Sequence, residues 1–278
     1  MSALRVLHLS DTHLMAAGAL HQGLVDTTAA LGHVLESLHG LGPLDAVVVS
    51  GDVSDDGTVA SYETARDLVG DFAARHGAVP VFAMGNHDQA EGFTRVLGPA
   101  RSVHDVDGLR IVVLDSSVPG RGYGALAGEQ LDGLRAELAV PAPRGSVVVV
   151  HHGPVPAPTV LHEALELQAP HELLAALEGT DVRAVLCGHY HHPFLRVLPS
   201  GVLVSVAPGV ANRTDPLVVR GRERVVRGSG ASLVELGDDV LVTVLDVPTP
   251  GDGQQLFELD EEAVARIAVA AGVPAPPG

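Results

Sequence analysis

The sequence contains no lysine and no tryptophan, and it has a single cysteine among 278 residues. All 17 basic residues are therefore arginines, against 34 acidic residues, and the formal net charge is −17. A field of that sign repels phosphate backbones, so a nucleic-acid duplex is not an expected partner. The single cysteine, Cys187, excludes an intrachain disulfide framework and is typical of a protein in a reducing compartment.

Long apolar runs are missing as well, and none approaches the roughly 20 residues that a membrane-spanning helix needs. The opening stretch "MSALRVLHLSD" carries Arg5 and His8 among its apolar residues, which favours a strand over a signal peptide. We therefore expect a soluble, cytoplasmic protein that has no membrane partner.

The chain is long enough for one large hydrophobic core and short for two separate domains. We predict one domain over residues 1–247. The remaining segment, 248–278, begins with the Pro/Gly-rich stretch "PTPGDGQQ", which is typical of a linker, and ends as a C-terminal tail. Within that tail we expect one short helix that is capped by Asp260 and peripheral to any chemistry.

Short β-branched runs alternate with helical patterns in the first part of the chain. The runs "LRVLHLS", "LDAVVVS" and "VPVFAM" are separated by two helical segments, which predicts a β-α-β-α-β arrangement and a parallel sheet. After "VRAVLC" the pattern changes, and strands follow one another without helices. This change indicates a second sheet packed against the first.

Polar side chains follow five of the predicted strands, at the point where each strand ends. In open α/β sheets the ligand site lies outside the carboxyl ends of the strands, so these five endings should converge. They are Asp-Thr-His at 11–13, Gly-Asp-Val-Ser-Asp at 51–55, Gly-Asn-His-Asp at 85–88, His-His at 151–152 and Gly-His-Tyr-His at 188–191.

Oxygen and imidazole ligands without thiolate suit Mn, Fe or Zn. Seven candidate ligands are too many for one ion, while two ions that share a carboxylate would use them all. Such a pair of ions activates water and stabilises the oxygens of an in-line displacement at phosphorus. The sequence therefore predicts hydrolysis of a phosphoester.

The five blocks, in this order and at these spacings, resemble the calcineurin-like metallophosphoesterase superfamily. The stretches "LSDTHL", "GDVSDDG", "GNHD", "HHGPVP" and "TDVRAVLCGHYHH" are most similar to the bacterial class III 3′,5′-cyclic nucleotide phosphodiesterases. The similarity continues through "LDSSVPG" and "GEQLDGLRAEL" to about residue 245. The fold that the resemblance implies is α/β, a four-layer α/β/β/α sandwich with two mixed sheets packed face to face.

The resemblance also implies roles for individual residues around two divalent or mixed-valence ions of Mn, Fe or Zn. The implied reaction is hydrolysis of a 3′,5′-cyclic nucleotide such as cAMP by a hydroxide that bridges the ions. His87 would stabilise the transition state or protonate the departing alkoxide. The implied ligands are Asp11, His13 and His191 for the first ion, Asn86, His151 and His189 for the second, and Asp52 for both.

Four neighbouring residues are further candidates. His152 directly follows a ligand position, and we expect it to lie beside the centre without binding metal. Asp55 and Asp88 are candidates to orient ligand imidazoles, because metal-bound histidine normally donates its other N–H to an acceptor. The alternative for both is a solvated loop carboxylate. Tyr123, in the loop "GYGALA", is a candidate for substrate contact.

Other functions stay open at this point. The main alternative is a broad-specificity enzyme that acts on glycerophosphodiesters or 2′,3′-cyclic nucleotides. A metal-dependent nuclease would need a basic groove, and the only arginine cluster, over residues 220–227, is interpreted as a solvated loop or strand edge. A non-catalytic scaffold is a third alternative. The expected partner is a small phosphodiester substrate, and a homodimer through the strands after residue 193 is left open.

Overall fold

The computed structural model describes residues 2–273, and this part of the chain is built mainly from short strands joined by helices. The strands are β1 (Leu4–Leu9), β2 (Ala46–Val49), β3 (Val79–Phe82), β4 (Ser102–Val106), β5 (Leu109–Val113), β6 (Ser146–Val149), β7 (Val182–Cys187), β8 (Phe194–Val197), β9 (Leu203–Val206), β10 (Arg213–Thr214), β11 (Glu223–Val226), β12 (Ser229–Leu236), β13 (Val240–Val247) and β14 (Gln255–Leu259). The helices are α1 (Thr27–Ser37), α2 (Val59–His76), α3 (Ala90–Val96), α4 (Gly128–Leu138), α5 (Val160–Glu163), α6 (Pro170–Leu177) and α7 (Glu261–Ala271).

Local sequence signals explain where the longer helices begin. The side chains of Asp26, Thr58 and Asp260 cap α1, α2 and α7, and each accepts a hydrogen bond from a backbone N–H three residues further on. The predicted capping of the last helix by Asp260 is therefore confirmed. Helix α2 ends at Gly77, whose φ of 74° places it in the left-handed region that glycine tolerates.

Two mixed sheets form the centre of the molecule. The first has the order β13-β12-β1-β2-β3, in which β1, β2 and β3 run parallel and β12 and β13 are antiparallel additions. The second has the order β4-β5-β6-β7-β9-β8, with a parallel core from β5 to β9 and antiparallel edges. Both sheets receive strands from the helix-poor region after Cys187, so that region completes both sheets.

The apolar side chains divide into three clusters that correspond to three interfaces between layers. One cluster lies between the sheets and includes Val6, Val48 and Val149. A second packs α1 and α2 against the first sheet, and a third packs α4 and α6 against the second sheet. The predicted four-layer α/β/β/α sandwich with two mixed sheets is confirmed.

The segment after residue 247 folds onto the body of the protein. Strand β14 pairs with β11 in a small antiparallel sheet of order β10-β11-β14. The last turn of α7 is held by the loop before α4, where Gly122 N–H donates to the carbonyl of Ala271 at 2.8 Å. Residues 274–278 of the predicted tail lie outside the described residues. The division of the chain at residue 247 stays a prediction.

Buried His8, in β1, makes the stability of the fold depend on pH. Burial lowers the pKa of its imidazole from 6.5 to about 3, and the neutral ring contacts Ser50 Oγ at 2.8 Å. Below about pH 6.5 the unfolded chain binds a proton that the folded chain does not, so the stabilisation present above that pH is lost as the pH falls. Between about pH 6 and 4, the free energy of unfolding should fall by about 1.4 kcal/mol per pH unit more in the wild type than in His8→Leu.

Urea titrations followed by circular dichroism at several pH values measure that difference. The substitution also removes the contact with Ser50, but this shifts the free energy by a constant and leaves the slope to report the histidine. Equal slopes for the two proteins would show that His8 is protonated within the fold.

Candidate metal centre

All the predicted ligand residues lie just beyond the carboxyl ends of parallel strands. Strands β1, β2 and β3 of the first sheet and β6 and β7 of the second point their carboxyl ends toward one edge of the sandwich. At that edge, possible ligand atoms from both sheets form overlapping groups. The atoms within each group lie within 4.8 Å of one another. These groups include Asp11, His13 and His191, and Asp11, Asp52 and His151. The expected convergence of the strand endings is observed.

Five of these residues have left-handed backbone conformations, with φ between 44° and 75°. Residues with a Cβ atom rarely adopt this region, and such strain persists only where the surrounding structure imposes it. The strained residues are Asp11, His13, Asp52, His189 and His191. The backbone after β1, β2 and β7 is therefore bent at these residues, which belong to the common centre.

Two glycines of the sequence motifs are required for close packing. A Cβ atom on Gly85 would lie 2.1 Å from Asp52 Oδ1, and a Cβ atom on Gly188 would lie 1.8 Å from Ser10 Oγ. Neither distance is compatible with a side chain. These glycines let neighbouring strand endings approach each other closely.

Each histidine of the predicted set has one ring nitrogen fixed by the protein. Nδ1 of His13 lies 3.1 Å from the carboxylate of Asp55, and Nδ1 of His191 lies 3.3 Å from the carbonyl of Asn212. Nδ1 of His151 and Nε2 of His189 likewise face the carbonyls of Ser50 (2.9 Å) and Leu165 (3.1 Å). Such acceptors fix the tautomer and leave the second nitrogen free to bind a metal.

The geometry between His13 and His191 shows that the site fits a cation. Since both Nδ1 atoms face groups that can only accept, each Nδ1 carries the proton of its neutral ring. The two Nε2 atoms then direct lone pairs at each other across 3.0 Å. Burial lowers the pKa of the His13 imidazole to about 4 against the opposing effect of Asp55, so His13 itself is neutral at neutral pH. A metal ion would satisfy both lone pairs.

Other buried polar atoms that could bind a metal also lack a hydrogen bond of normal geometry within the described structure. Neither Asn86 Oδ1 nor His151 Nε2 has a hydrogen-bond partner within the described structure. Asp52 Oδ2 lies 3.3 Å from His151 Nε2 and 3.6 Å from His13 Nε2, so one carboxylate oxygen faces both halves of the cluster. Buried polar atoms are normally satisfied, which makes these atoms suitable ligands.

Asp55 contacts three imidazoles. Its Oδ1 lies 3.1 Å from Nδ1 of His13 and 2.9 Å from Nδ1 of His87, and its Oδ2 lies 3.2 Å from Nδ1 of His21. Burial raises the pKa of this carboxyl, but the three histidines outweigh it and hold the pKa far below its usual range. The predicted orienting role of Asp55 matches this geometry. His21 was missed, because nothing in the loop "HQGL" distinguishes it from an ordinary surface histidine.

His87 is the part-exposed histidine of the cluster, and it lines the cavity above the centre. Burial lowers its pKa, but the charge of Asp52 and the contact with Asp55 are stronger and raise the pKa to about 9. The ring is therefore an imidazolium at neutral pH. An imidazolium carries a proton on both nitrogens, so Nε2 keeps a proton when Nδ1 faces Asp55.

The remaining candidates support the loops. Asp88 accepts backbone hydrogen bonds from Val53, Ser54 and Gly85 and contacts no ligand imidazole, so it joins two motif loops. Both ring nitrogens of His152 are engaged, by Ser116 Oγ at 2.8 Å and by the carbonyl of Gly122 at 3.1 Å. His152 is therefore a neighbour of the centre, as expected. Tyr123 is not among the described residues that line this cavity.

A cavity of about 510 Å³ opens over the cluster. Its lining includes His13, His87 and His189 of the cluster and also residues far along the chain. The latter are Glu223, Val225, Phe257, Leu259 and Ile267. The expectation that the C-terminal segment is peripheral to the chemistry is therefore wrong, because β14 and α7 cover the candidate site.

The chain belongs to the calcineurin-like phosphoesterase family, whose sequence model matches residues 4–193. It is 38% identical over 277 residues to a probable cyclic nucleotide phosphodiesterase of Rhodococcus erythropolis, covering 96% of this chain and 91% of that protein. It is 40% identical over 247 residues to a cAMP/cGMP dual specificity phosphodiesterase of Mycobacterium tuberculosis, covering 85% and 77%.

The fold is also similar to that of a solved dimetal phosphatase from Danio rerio. The TM-score is 0.60 over 88% of this chain and the whole of that one, at 14% identity. At that identity the likeness supports the sandwich fold alone. Among residues 2–273, no helix has the length and apolar character needed to cross a membrane.

Proposed function

We propose that this protein is a dinuclear-metal phosphodiesterase that hydrolyses 3′,5′-cyclic nucleotides such as cAMP and cGMP. The observation that carries the proposal is the cluster of unsatisfied donors at the edge of the sandwich, above all the facing lone pairs of His13 and His191. The names of the two bacterial relatives, which align with most of this chain, support the substrate class. The donor set supports a metal-assisted reaction at phosphorus.

The proposed ligand set keeps the division into two ions. Asp11, His13 and His191 would hold one ion, Asn86, His151 and His189 the other, and Asp52 both. The absence of thiolate from this set suits Mn, Fe or Zn. When bound, such a pair of ions supplies activated water and neutralises charge on the oxygens at phosphorus.

Side chains of the protein position the proposed ligands and supply the proton that the reaction needs. Asp55 contacts the rings of both His13 and His87, so the proposed metal ligand and the proposed acid keep fixed positions relative to each other. His87 keeps a proton at neutral pH and lines the cavity where a substrate would lie. We infer that it donates this proton to the departing alkoxide oxygen of the substrate.

A nuclease is disfavoured because three of the four arginines between residues 220 and 227 are ion-paired. Arg220 forms an ion pair with Glu163 at 3.2 Å, and Arg222 and Arg224 both pair with Glu258 at 2.9 Å. A groove that tracks a phosphate backbone needs arginines that are free to contact it. The net charge of −17 adds long-range repulsion.

A substrate panel tests the proposal. Protein stripped with chelator and reloaded with Mn, Fe or Zn should hydrolyse cAMP or cGMP with a kcat/KM at least about 10-fold above that for 2′,3′-cAMP or glycerophosphocholine. A higher kcat/KM for either of the latter would favour the broad-specificity alternative. Tight, salt-sensitive DNA binding would indicate a nuclease, and absence of turnover with every metal would indicate a scaffold.

A further inference from the structure

Glu223 is a buried carboxylate in the wall of the active-site cavity, and its polar neighbours include His162 and the hydroxyls of Thr159 and Thr214. The residue is 2% exposed and lines the cavity wall formed by β11 and β14. Neither of its carboxylate oxygens has a hydrogen-bond partner among the described residues. Burying an unsatisfied carboxylate is costly, so such a group in a cavity wall points to a ligand that supplies the missing donors.

The neighbouring His162 does not neutralise this carboxylate. Its Nδ1 lies 3.9 Å from Glu223 Oε1 but only 2.9 Å from Thr159 Oγ1, which is its hydrogen-bond partner. Burial raises the pKa of the Glu223 carboxyl, although the nearby hydroxyls of Thr159 and Thr214 oppose this shift.

The surroundings of Glu223 form a largely apolar wall in which Thr214, paired opposite Val225, is a second polar residue. Residues two apart on a strand face the same side, and the pairing of β11 with β14 places Glu223 opposite Leu259 and Val225 opposite Phe257. All four residues line the cavity. A wall of this composition suits a flat, largely apolar ring that carries hydrogen-bond donors on its edge.

Glu223 is one side chain removed from a proposed metal ligand. The ring centroid of His162 lies 5.7 Å from that of His189, and Nδ1 of His162 lies 3.9 Å from Glu223 Oε1. In a 3′,5′-cyclic nucleotide the ribose hydroxyl is on the carbon beside the 3′-oxygen, and it therefore stays close to phosphorus. The base lies on the other side of the sugar, one ring further away, where Glu223 would meet its edge.

We propose, on the basis of the phosphodiesterase function proposed above, that Glu223 determines specificity by accepting hydrogen bonds from the N–H groups of a purine base. The apolar wall of Val225, Phe257 and Leu259 packs against the base. Guanine offers two adjacent N–H donors and adenine offers its exocyclic amine. Uracil offers one N–H between two carbonyl oxygens, which a carboxylate repels.

The test compares Glu223→Leu and Glu223→Gln in the full-length, metal-loaded protein. The leucine variant should lose about 10- to 100-fold in kcat/KM for cAMP and cGMP, mainly through KM, because one or two hydrogen bonds to a charged group are removed. On bis(p-nitrophenyl) phosphate, which has no base, the change should stay below about twofold. The glutamine variant should lose more on cGMP than on cAMP, because its NH₂ group opposes one of guanine's two donors.

The matched control is Glu137→Gln, which makes the same charge change at an exposed position of α4 and should leave all rates unaltered. Melting temperatures of the metal-loaded proteins identify a folding defect, and the near-isosteric glutamine variant keeps the test valid if the leucine variant fails to fold. Equal losses on all substrates would show a structural role and overturn the assignment.

Two further outcomes separate this assignment from the proposed function. Cyclic nucleotide hydrolysis that both Glu223 variants leave unchanged would overturn the assignment alone. A wild-type enzyme that hydrolyses bis(p-nitrophenyl) phosphate but no cyclic nucleotide would overturn the proposed function and the assignment together.

Discussion

Asp52→Asn is expected to abolish metal binding and phosphodiesterase activity together. Asp52 Oδ2 faces His13 and His151 on the two sides of the cluster, and Oδ1 accepts the backbone N–H of His87 at 2.9 Å. An amide at this position removes the negative charge that both ions would share. Because loss of a group that only supports a ligand already costs about 10- to 100-fold in metal affinity, loss of the bridging carboxylate should cost more than about 100-fold. The rate should fall at least about 10³-fold.

Elemental analysis after reconstitution and dialysis, together with kcat/KM for cAMP, measures both effects. Asp181→Asn is the matched control, because that carboxylate accepts the backbone N–H of Ala142 at the opposite end of the sheet, before β7. It should retain full metal content and activity. If Asp52→Asn kept two ions per chain, the bridging assignment would be wrong even if activity were lost.

His87→Ala is expected to lower kcat by about 10²- to 10⁴-fold while leaving the metal content unchanged, since general acid catalysis contributes a factor of this size. His87 is not one of the proposed ligands, although one of its ring nitrogens lies within 4.8 Å of ligand atoms of His13 and Asp52. Its raised pKa keeps the proton in place through neutral pH. Two cations bound beside it would lower that pKa below 9, so kcat of the wild type should decline in the alkaline range as this proton is lost.

The leaving group decides between the two roles considered for His87. The alkoxide that leaves a cyclic nucleotide is a strong base and needs a proton, whereas p-nitrophenolate is a weak base and leaves without one. A proton donor would therefore give a large loss on cAMP and a small loss on bis(p-nitrophenyl) phosphate, while transition-state stabilisation would give similar losses. His39→Ala, at an exposed position, is the control. Loss of a metal ion from His87→Ala would rule out both roles.

The parts of the site that could be predicted from the sequence are those attached to strand ends. Asp11, Asp52 and His151 each lie within three residues of the end of a strand, and the topology of an α/β sheet brings such positions together. A local pattern was sufficient because the sheet itself supplies the long-range geometry. The four layers follow from the same alternation of strands and helices.

The parts that could not be predicted depend on contacts between distant segments. Glu223 stands between Arg222 and Arg224 in the sequence, and we interpreted that stretch as a basic, solvated edge. The alternation of a strand instead turns the arginines toward Glu258 and the glutamate toward the cavity. Nothing local indicates which face is buried, because that depends on where β14 pairs. His21 and the C-terminal wall were missed for the same reason.

The left-handed ligand residues have a consequence for how this protein could change. Each such position is strained by about 1–3 kcal/mol, and glycine would relieve most of that strain. Substituting glycine at Asp11, His13 and His191 would therefore favour the folded chain while removing the chemistry. Five of the nine non-glycine residues with positive φ in the described chain are proposed ligands, so backbone strain is concentrated where the proposed chemistry takes place.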